Sequence, residues 1–297
     1  MSVHQQIFLM LDQPMLILKE RNGEVRIDDA NEAFLNLVGQ ERPYLQAINS
    51  PFIKASYPIE MDRRTLKSEI RLAWPFREVS VRIEQMPLPQ SGEDDWRRSL
   101  LIAEDLTAFH WINRQLEKGK VLISGVVDRH LHIRFLQDRL APLTLEPEFA
   151  KEDETLLHFI AENEQERIMA LINETAHLKQ DQTITMNTSK LSGVELELEL
   201  TFSPILNGYG ICNEVAFVIW DLRPRDEEEV DSGMKLKIWM AKRDMSAGQL
   251  SAATGISMQT ISKLRNGKIE KPHRLTAELI ASELKVDVNE IWPSIRK

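Results

Sequence analysis

"TGISMQTISKLRNGK" spans Thr254–Lys268, and its reading decides the C-terminal fold. Gly255 offers the chain a left-handed turn that other residues enter only at a cost. Ser257 can cap a helix over "MQTISKLR" (258–265), because its hydroxyl can accept a free backbone N–H. That helix carries only two apolar teeth, Ile261 and Leu264, three residues apart and therefore on one face. Its other face is expected to show Met258, Gln259, Thr260, Ser262, Lys263 and Arg265 to the outside. Asn266-Gly267 ends it.

The flanking sequence reads as more short helices. "MKLKIWMAKR" (234–243) comes first, and Ser246 can cap "AGQLSAAT" (247–254). Leu250 and Ile256 are placed to lock with Ile261 and Leu264 in a small core. "KPHRLTAELIASEL" supplies a fourth helix from near Pro272, and "DVNEIW" a fifth capped by Asp287. A helix, a tight glycine turn and a second helix with a polar outer face is the geometry that lays a helix in the major groove. Through "MSAGQLSAATGISMQTISKLRNGK" and "KPHRLTAELIASELKVDVNEIW" the chain resembles the lambda-repressor-like (Xre) helix-turn-helix family. The spacing of Leu250, Gly255, Ile256, Ile261, Leu264 and Asn266-Gly267 carries the resemblance. The sequence departs from the family at Ser251 (usually Ala), at Ala247-Gly248 (often Gln) and at Arg265 (frequently Glu). These departures are expected to alter sequence preference more than fold.

The resemblance implies double-stranded DNA as partner and residues 258–265 as the recognition helix. Gln259 can pair bidentately with adenine, and Lys263 suits guanine. Met258 and Thr260 can touch thymine methyls, and Ser262 shares their face. Ser246, Lys268, Lys271 and Arg274 are the phosphate candidates, with His273 as an outside member, since helix N-termini and basic side chains position the DNA backbone.

Charge divides the chain in the same place. Residues 234–297 hold twelve Lys+Arg and six Asp+Glu, hence +6. The whole chain is -9, so residues 1–233 carry -9 - 6 = -15. A basic module after an acidic body points to an anionic partner for the C-terminal part alone, although a solvated surface explains an imbalance too.

The first 222 residues repeat one pattern twice. Strand-like runs "KSEIRLAW", "REVSVRIEQMPL" and "RRSLLIAEDL" are matched by "QTITMNTS", "VELELELTFSPIL" and "EVAFVIWDL". Strict Glu/Leu alternation over 195–200 has the period of a half-buried antiparallel strand. Two shorter strands and helical segments precede each set: "MLILKE", Asn22-Gly23, "EVRIDD" and "NEAFLNLVG" in the first, "VLISGVV", "LHIRFLQ" and helices between about 152 and 178 in the second. In Asn22-Gly23, Asn31, Phe34, Leu35, Gly39 and "AEDLTAF" the first copy resembles the PAS family of sensory domains. The second copy follows by strand order. Two unrelated α+β units are the alternative.

The expected fold is therefore α+β, two PAS-like antiparallel-sheet domains (1–117 and 118–226), a linker (227–233) and an all-α five-helix lambda-repressor-like domain (234–297). Between the copies, Leu106, Phe109, Ile112 and Leu116 form one helical stripe. It serves equally as a homodimer contact, as the PAS resemblance implies, or as a core-facing edge.

No cofactor is evident. His130 and His132 share a strand face, but no Cys, His or Asp cluster completes a metal set. "RFLQ" (134–137) echoes part of the flavin-binding light-sensing PAS motif, yet Ile133 stands where the reactive cysteine would be. Cys212 reads as a small apolar filler, and nothing singles out His110, His158 or His177 as a haem ligand. No nucleophile–base pair or Gly-rich phosphate loop stands out, so no enzyme is expected. No apolar run reaches membrane-span length, and "MSVHQQIFLMLDQP" lacks a basic signal-peptide start. With one cysteine, the expectation is a cytoplasmic transcriptional regulator. Its PAS-like part senses a small molecule or, alternatively, serves as a docking platform.

Overall fold

The computed structural model describes residues 3–43, 61, 64–74, 77–89, 95–138, 155–188, 195–225 and 230–293. By proximity these fall into two compact units, Met1–Trp111 with Ile205–Glu214, and Ile112–Pro204 with Val215–Lys297.

The first repeat runs β1 (Met15–Arg21), β2 (Glu24–Ala30), α2 (Glu32–Val38), β3 (Thr65–Trp74), β4 (Arg77–Pro87) and β5 (Arg97–Asp105), after a helix α1 (Val3–Met10). The second runs β6 (Ile123–Asp128), β7 (Ile133–Asp138), α4 (Glu162–Leu178), β8 (Gln182–Asn187), β9 (Leu196–Leu206) and β10 (Cys212–Pro224). Helix α3 (Thr107–Lys118) lies between them. Their sheets have the orders β2-β1-β5-β4-β3 and β7-β6-β10-β9-β8, which is one topology used twice.

The β1–β2 hairpin closes on Asn22-Gly23, with φ of 55° and 77°. Two consecutive positive φ values are what a two-residue hairpin turn matched to strand twist demands, and Asn-Gly tolerates them best. Alternation then selects the core face: Leu16 and Leu18 of β1, Val25 and Ile27 of β2 and Leu101 and Ala103 of β5 pack with Phe34, Leu35, Leu37 and Val38 of α2. In β9, Leu196, Leu198 and Leu200 are buried, while Glu197 is half-buried and Glu199 exposed, as the Glu/Leu alternation requires.

Asn31 ties the first unit together from a fully buried position. Its Oδ1 accepts the N–H groups of Met15 and Phe34, each at 2.9 Å. Its Nδ2 donates to the carbonyls of Leu11 at 3.1 Å and Gln13 at 2.7 Å. One amide thus caps α2 and satisfies the chain entering β1.

The expected linker (227–233) yields two residues to a helix: α5 begins at Ser232, with Asp231 as its cap accepting from Met234 N–H. Asp226, Glu227, Glu228 and Glu229 lie outside the described residues. Helices α5 (Ser232–Lys242), α6 (Ala247–Thr254), α7 (Met258–Arg265), α8 (Arg274–Leu284) and α9 (Val288–Ile291) make the all-α part. Among the described residues no helix is long and apolar enough to cross a membrane.

Replacing Asn31 by Ala strips partners from four backbone groups. The expected cost is about 2–4 kcal/mol, from the lost cap and the orphaned donors and acceptors. Amide exchange at Met15 and Phe34 should accelerate accordingly. Exchange at wild-type rates would show that water replaces the side chain without penalty.

Candidate nucleic-acid interface

Eight residues of helix do not hold themselves in water, so α7 exists because of what it buries. Ile261 and Leu264 are buried with Leu236 and Met240 of α5, Leu250 of α6, and Ala277, Ile280 and Leu284 of α8. Ile256, in the turn, packs against that core. The four-residue lock expected from the sequence is present.

Local chemistry builds the turn. Ser246 Oγ accepts the Gln249 N–H at 3.2 Å, and Gln249 Oε1 accepts the Ser246 N–H at 2.8 Å. This reciprocal box starts α6. The sequence reading saw the cap but missed Gln249, although Ser-x-x-Gln is the signature of the motif. Gly255 ends α6 at φ 70°, a conformation in which a Cβ is strained. Ser257 Oγ accepts the Thr260 N–H at 3.2 Å and starts α7. Ser251 Oγ donates to Ile256 O at 2.6 Å and bridges the turn, so this departure from the family's usual Ala has a structural use.

Packing fixes the rotation of α7 and hence its outer face. Met258, Gln259, Ser262 and Lys263 are exposed. Thr260 is half-buried, and its hydroxyl pairs with Ser257 Oγ at 2.9 Å, which leaves mainly its methyl for a partner. Of the phosphate candidates, Lys268 and Lys271 are exposed. Arg274 is exposed but paired with Glu278 at 2.7 Å, and Ser246 has both its hydroxyl and its N–H engaged in the capping box. His273 stands at the cap of α8 without a side-chain capping bond.

Two other cations of the domain, Lys242 and Arg243, make contacts within the fold. Arg243 donates to Leu284 O at 2.7 Å and Lys285 O at 3.3 Å, closing the C-terminal end of α8. Lys242 pairs with Asp221 of β10 at 2.7 Å and lies 5.0 Å from the centre of the Trp239 ring. Lys120 Nζ donates to Lys242 O. The start of α5 touches the end of α7: a Cβ on Gly233 would stand 2.9 Å from Arg265 O and 2.9 Å from Gly267 N.

Residues 235–292 match the family model of the Cro/C1-type helix-turn-helix DNA-binding domain. The match is confined to the C-terminal helical region. No curated protein sequence matches the chain. Similar solved structures include a PAS domain from a two-component sensor histidine kinase, at 11% identity, covering 34% of this chain and 92% of that one with a TM-score of 0.27. A PAS domain of an HTR-like protein from Haloarcula marismortui is 17% identical, covering 34% and 88% with a TM-score of 0.27. A light-oxygen-voltage domain studied with a flavin analogue is 13% identical, covering 39% and 96% with a TM-score of 0.29. The chain thus joins two α+β units of shared strand order to a region that matches the Cro/C1-type helix-turn-helix model.

The remaining sequence candidates fall elsewhere. Leu106 and Ile112 of the α3 stripe are buried in the single chain, whereas Phe109 and Leu116 are half-buried. Trp111 and Gln115 are buried beside them. A double change of Phe109 and Ile112 to Glu would therefore break the core before it tested a dimer. The His130 and His132 rings lie 6.3 Å apart, and among the described residues no group of three or more His, Cys, Asp or Glu could hold a metal ion. Burial pushes the Cys212 thiol up, which keeps it protonated at neutral pH.

Gly233→Ala should move the end of α7, because two of the three atoms in the way are backbone there and the third is the Asp231 carboxylate that caps α5. A loss of about 1–3 kcal/mol in domain stability is expected, with weaker DNA binding, by thermal melting and fluorescence anisotropy. Ser251→Ala, the control at the turn, should cost about 1 kcal/mol. A Gly233→Ala protein that melts and binds like wild type would mean that the contact yields freely.

Proposed function

We propose that the chain is a cytoplasmic, non-enzymatic transcriptional regulator that binds DNA as a homodimer. In this reading residues 1–117 and 118–226 are sensory domains and 234–297 the DNA reader. One observation carries it: α7, within the region that matches the Cro/C1-type model, presents Gln259, Ser262 and Lys263 as an exposed polar face beside the exposed Met258. Gln259 reads adenine, Lys263 guanine, and Met258 with the Thr260 methyl meets thymine. Lys268 and Lys271 hold phosphates, Arg274 does so by exchanging its Glu278 partner, and Ser246 offers only the N-terminal end of α6. A single short unit of this kind reads a half-site, so useful affinity calls for two copies about one helical turn apart. Of the α3 stripe, Phe109 and Leu116 are the members with surface left for a dimer contact.

The Lys242–Asp221 pair fastens α5 to the end of β10, the Lys120 bond ties α5 to the segment between α3 and β6, and Gly233 joins α5 to the recognition helix. A change in the second sheet thereby reaches α7 through packed elements. A ligand acts through this route by favouring one spacing of the two readers over another. The docking-platform alternative keeps the DNA reader and the route but replaces the ligand by a protein.

Gln259→Ala should cost about 1–3 kcal/mol and relax preference at one base position. Lys268→Ala should weaken all sequences alike and lower the salt slope by about 1. Binding-site selection with each variant checks both, and an unchanged base preference for Gln259→Ala would displace the assigned register.

A flexible Gly/Ser insertion of about ten residues after Glu229 should leave single half-sites bound while erasing any preference for half-site spacing. Paired half-sites at varied separations read this directly. Retained spacing preference would place the constraint outside this connection.

A further inference from the structure

The loop between β9 and β10 belongs by sequence to the second repeat, yet it is part of the first compact unit. Its tip meets the C-terminal end of α2. Gly208 N–H donates to Asn36 O at 2.7 Å, and Tyr209 Oη donates to Gln40 O at 3.0 Å. The last carbonyls of a helix have no partner within it, and one of α2 finds its donor in this distant segment of chain. The two backbones touch. A Cβ on Gly208 would stand 2.0 Å from Gly39 N and 2.4 Å from Gly39 Cα, and a Cβ on Gly39 would stand 2.3 Å from Gly208 O. A side chain at either position would keep the segments apart.

The tip is rigid in itself and lightly held. Buried Asn207 accepts the N–H groups of Tyr209 and Ile211 on Oδ1, each at 3.0 Å, and its own N–H donates to Ile211 O at 2.8 Å. These bonds stay within the loop and persist wherever it goes. The contact with α2 gives little apolar cover in return, since Tyr209 is 48% and Ile211 60% exposed. Hydrogen bonds hold it instead, and each moves an equilibrium by only about two- to tenfold. Burial, with the carboxylates of Glu41 and Glu32, pushes the Tyr209 hydroxyl up, so it stays a donor at neutral pH.

We propose that the β9–β10 tip is a releasable latch: docked, it ties the end of α2 to β10, and released, it frees β10 from the first unit. A preformed element held by a few directional bonds has two states, and a modest difference in binding free energy moves it between them. β10 runs unbroken from Cys212 beside the tip to Pro224, and its Asp221 holds Lys242 of α5. The latch is thus the point where a change in the first unit enters the route to α7. The proposal rests on the reading of α7 as the output and adds an input to it.

The test uses the full-length protein. Gly208 lacks the left-handed φ of Gly39 and Gly210 (69° and 76°), so the obstacle to an alanine there is the contact itself. In Gly208→Ala the amide at 208 should exchange at least about tenfold faster, while those of Tyr209 and Ile211 keep their rates. Tyr209→Phe removes one bond and leaves the loop's own bonds intact, which keeps the test alive if Gly208→Ala does not fold. It should speed exchange at Gly208 about two- to tenfold. Amide signals of β10 from Val215 to Leu222, and the indole of Trp239 beside Lys242, should shift along one line, with Tyr209→Phe part of the way to Gly208→Ala. Wild-type exchange at Gly208 in Tyr209→Phe, or shifts confined to residues 205–214, overturns the proposal. DNA affinity separates the two claims. Shifts in β10 and Trp239 with unchanged DNA affinity would keep the latch and remove the reading of α7 as its output.

Discussion

The exposed polar side of α7 depends on the burial of Ile261 and Leu264 beneath it. A helix of eight residues has almost no rotational identity of its own. Two apolar side chains three apart supply it, because each residue advances the helix by about 100° and only one rotation buries both. Once they are seated on Leu250 and Leu236, Gln259, Ser262 and Lys263 face outward. Hydrogen bonds then define the ends: Ser257 at the start, Asn266-Gly267 at the finish, and Ser251 across the turn. Burial sets the rotation, and the polar bonds set the length.

The charge of the domain is similarly apportioned by structure. A net +6 over residues 234–297 attracts a polyanion without saying where it sits. The fold uses Lys242 and Arg243 for internal contacts, to Asp221 and to the carbonyls that end α8. Lys263, Lys268 and Lys271 remain exposed on or just after α7. Lys235 and Lys237 of α5 and Lys285 at the end of α8 add positive charge elsewhere on the domain.

The two α+β units share one strand order but solve their cores differently. The first is tied by a fully buried Asn31 that serves four backbone groups across three segments of chain. The second lines a partly open apolar pocket behind a sheet whose Leu196, Leu198 and Leu200 come from strict alternation. A buried polar knot fixes geometry because any slip leaves a donor or acceptor unpaired. An apolar space tolerates small shifts of its walls, since dispersion contacts change gradually.

By itself the sequence determined the elements and their periods. Glu/Leu alternation over 195–200 made β9, Asn22-Gly23 made a hairpin, and Gly255 with Ser257 made the helix-turn-helix corner. These are local rules, and local rules survive in any tertiary setting that does not oppose them. The Ser246–Gln249 box was equally legible and went unread. Tertiary structure alone decided which side of α3 is buried, since Leu106, Phe109, Ile112 and Leu116 satisfy a core edge and a dimer contact with one periodicity. It decided that Arg274 starts with a partner and that Thr260 spends its hydroxyl at a cap. It alone showed the close approach at Gly233 and the space around Val215. Sequence spacing reports which residues share a face; only packing reports what that face meets and what room is left between.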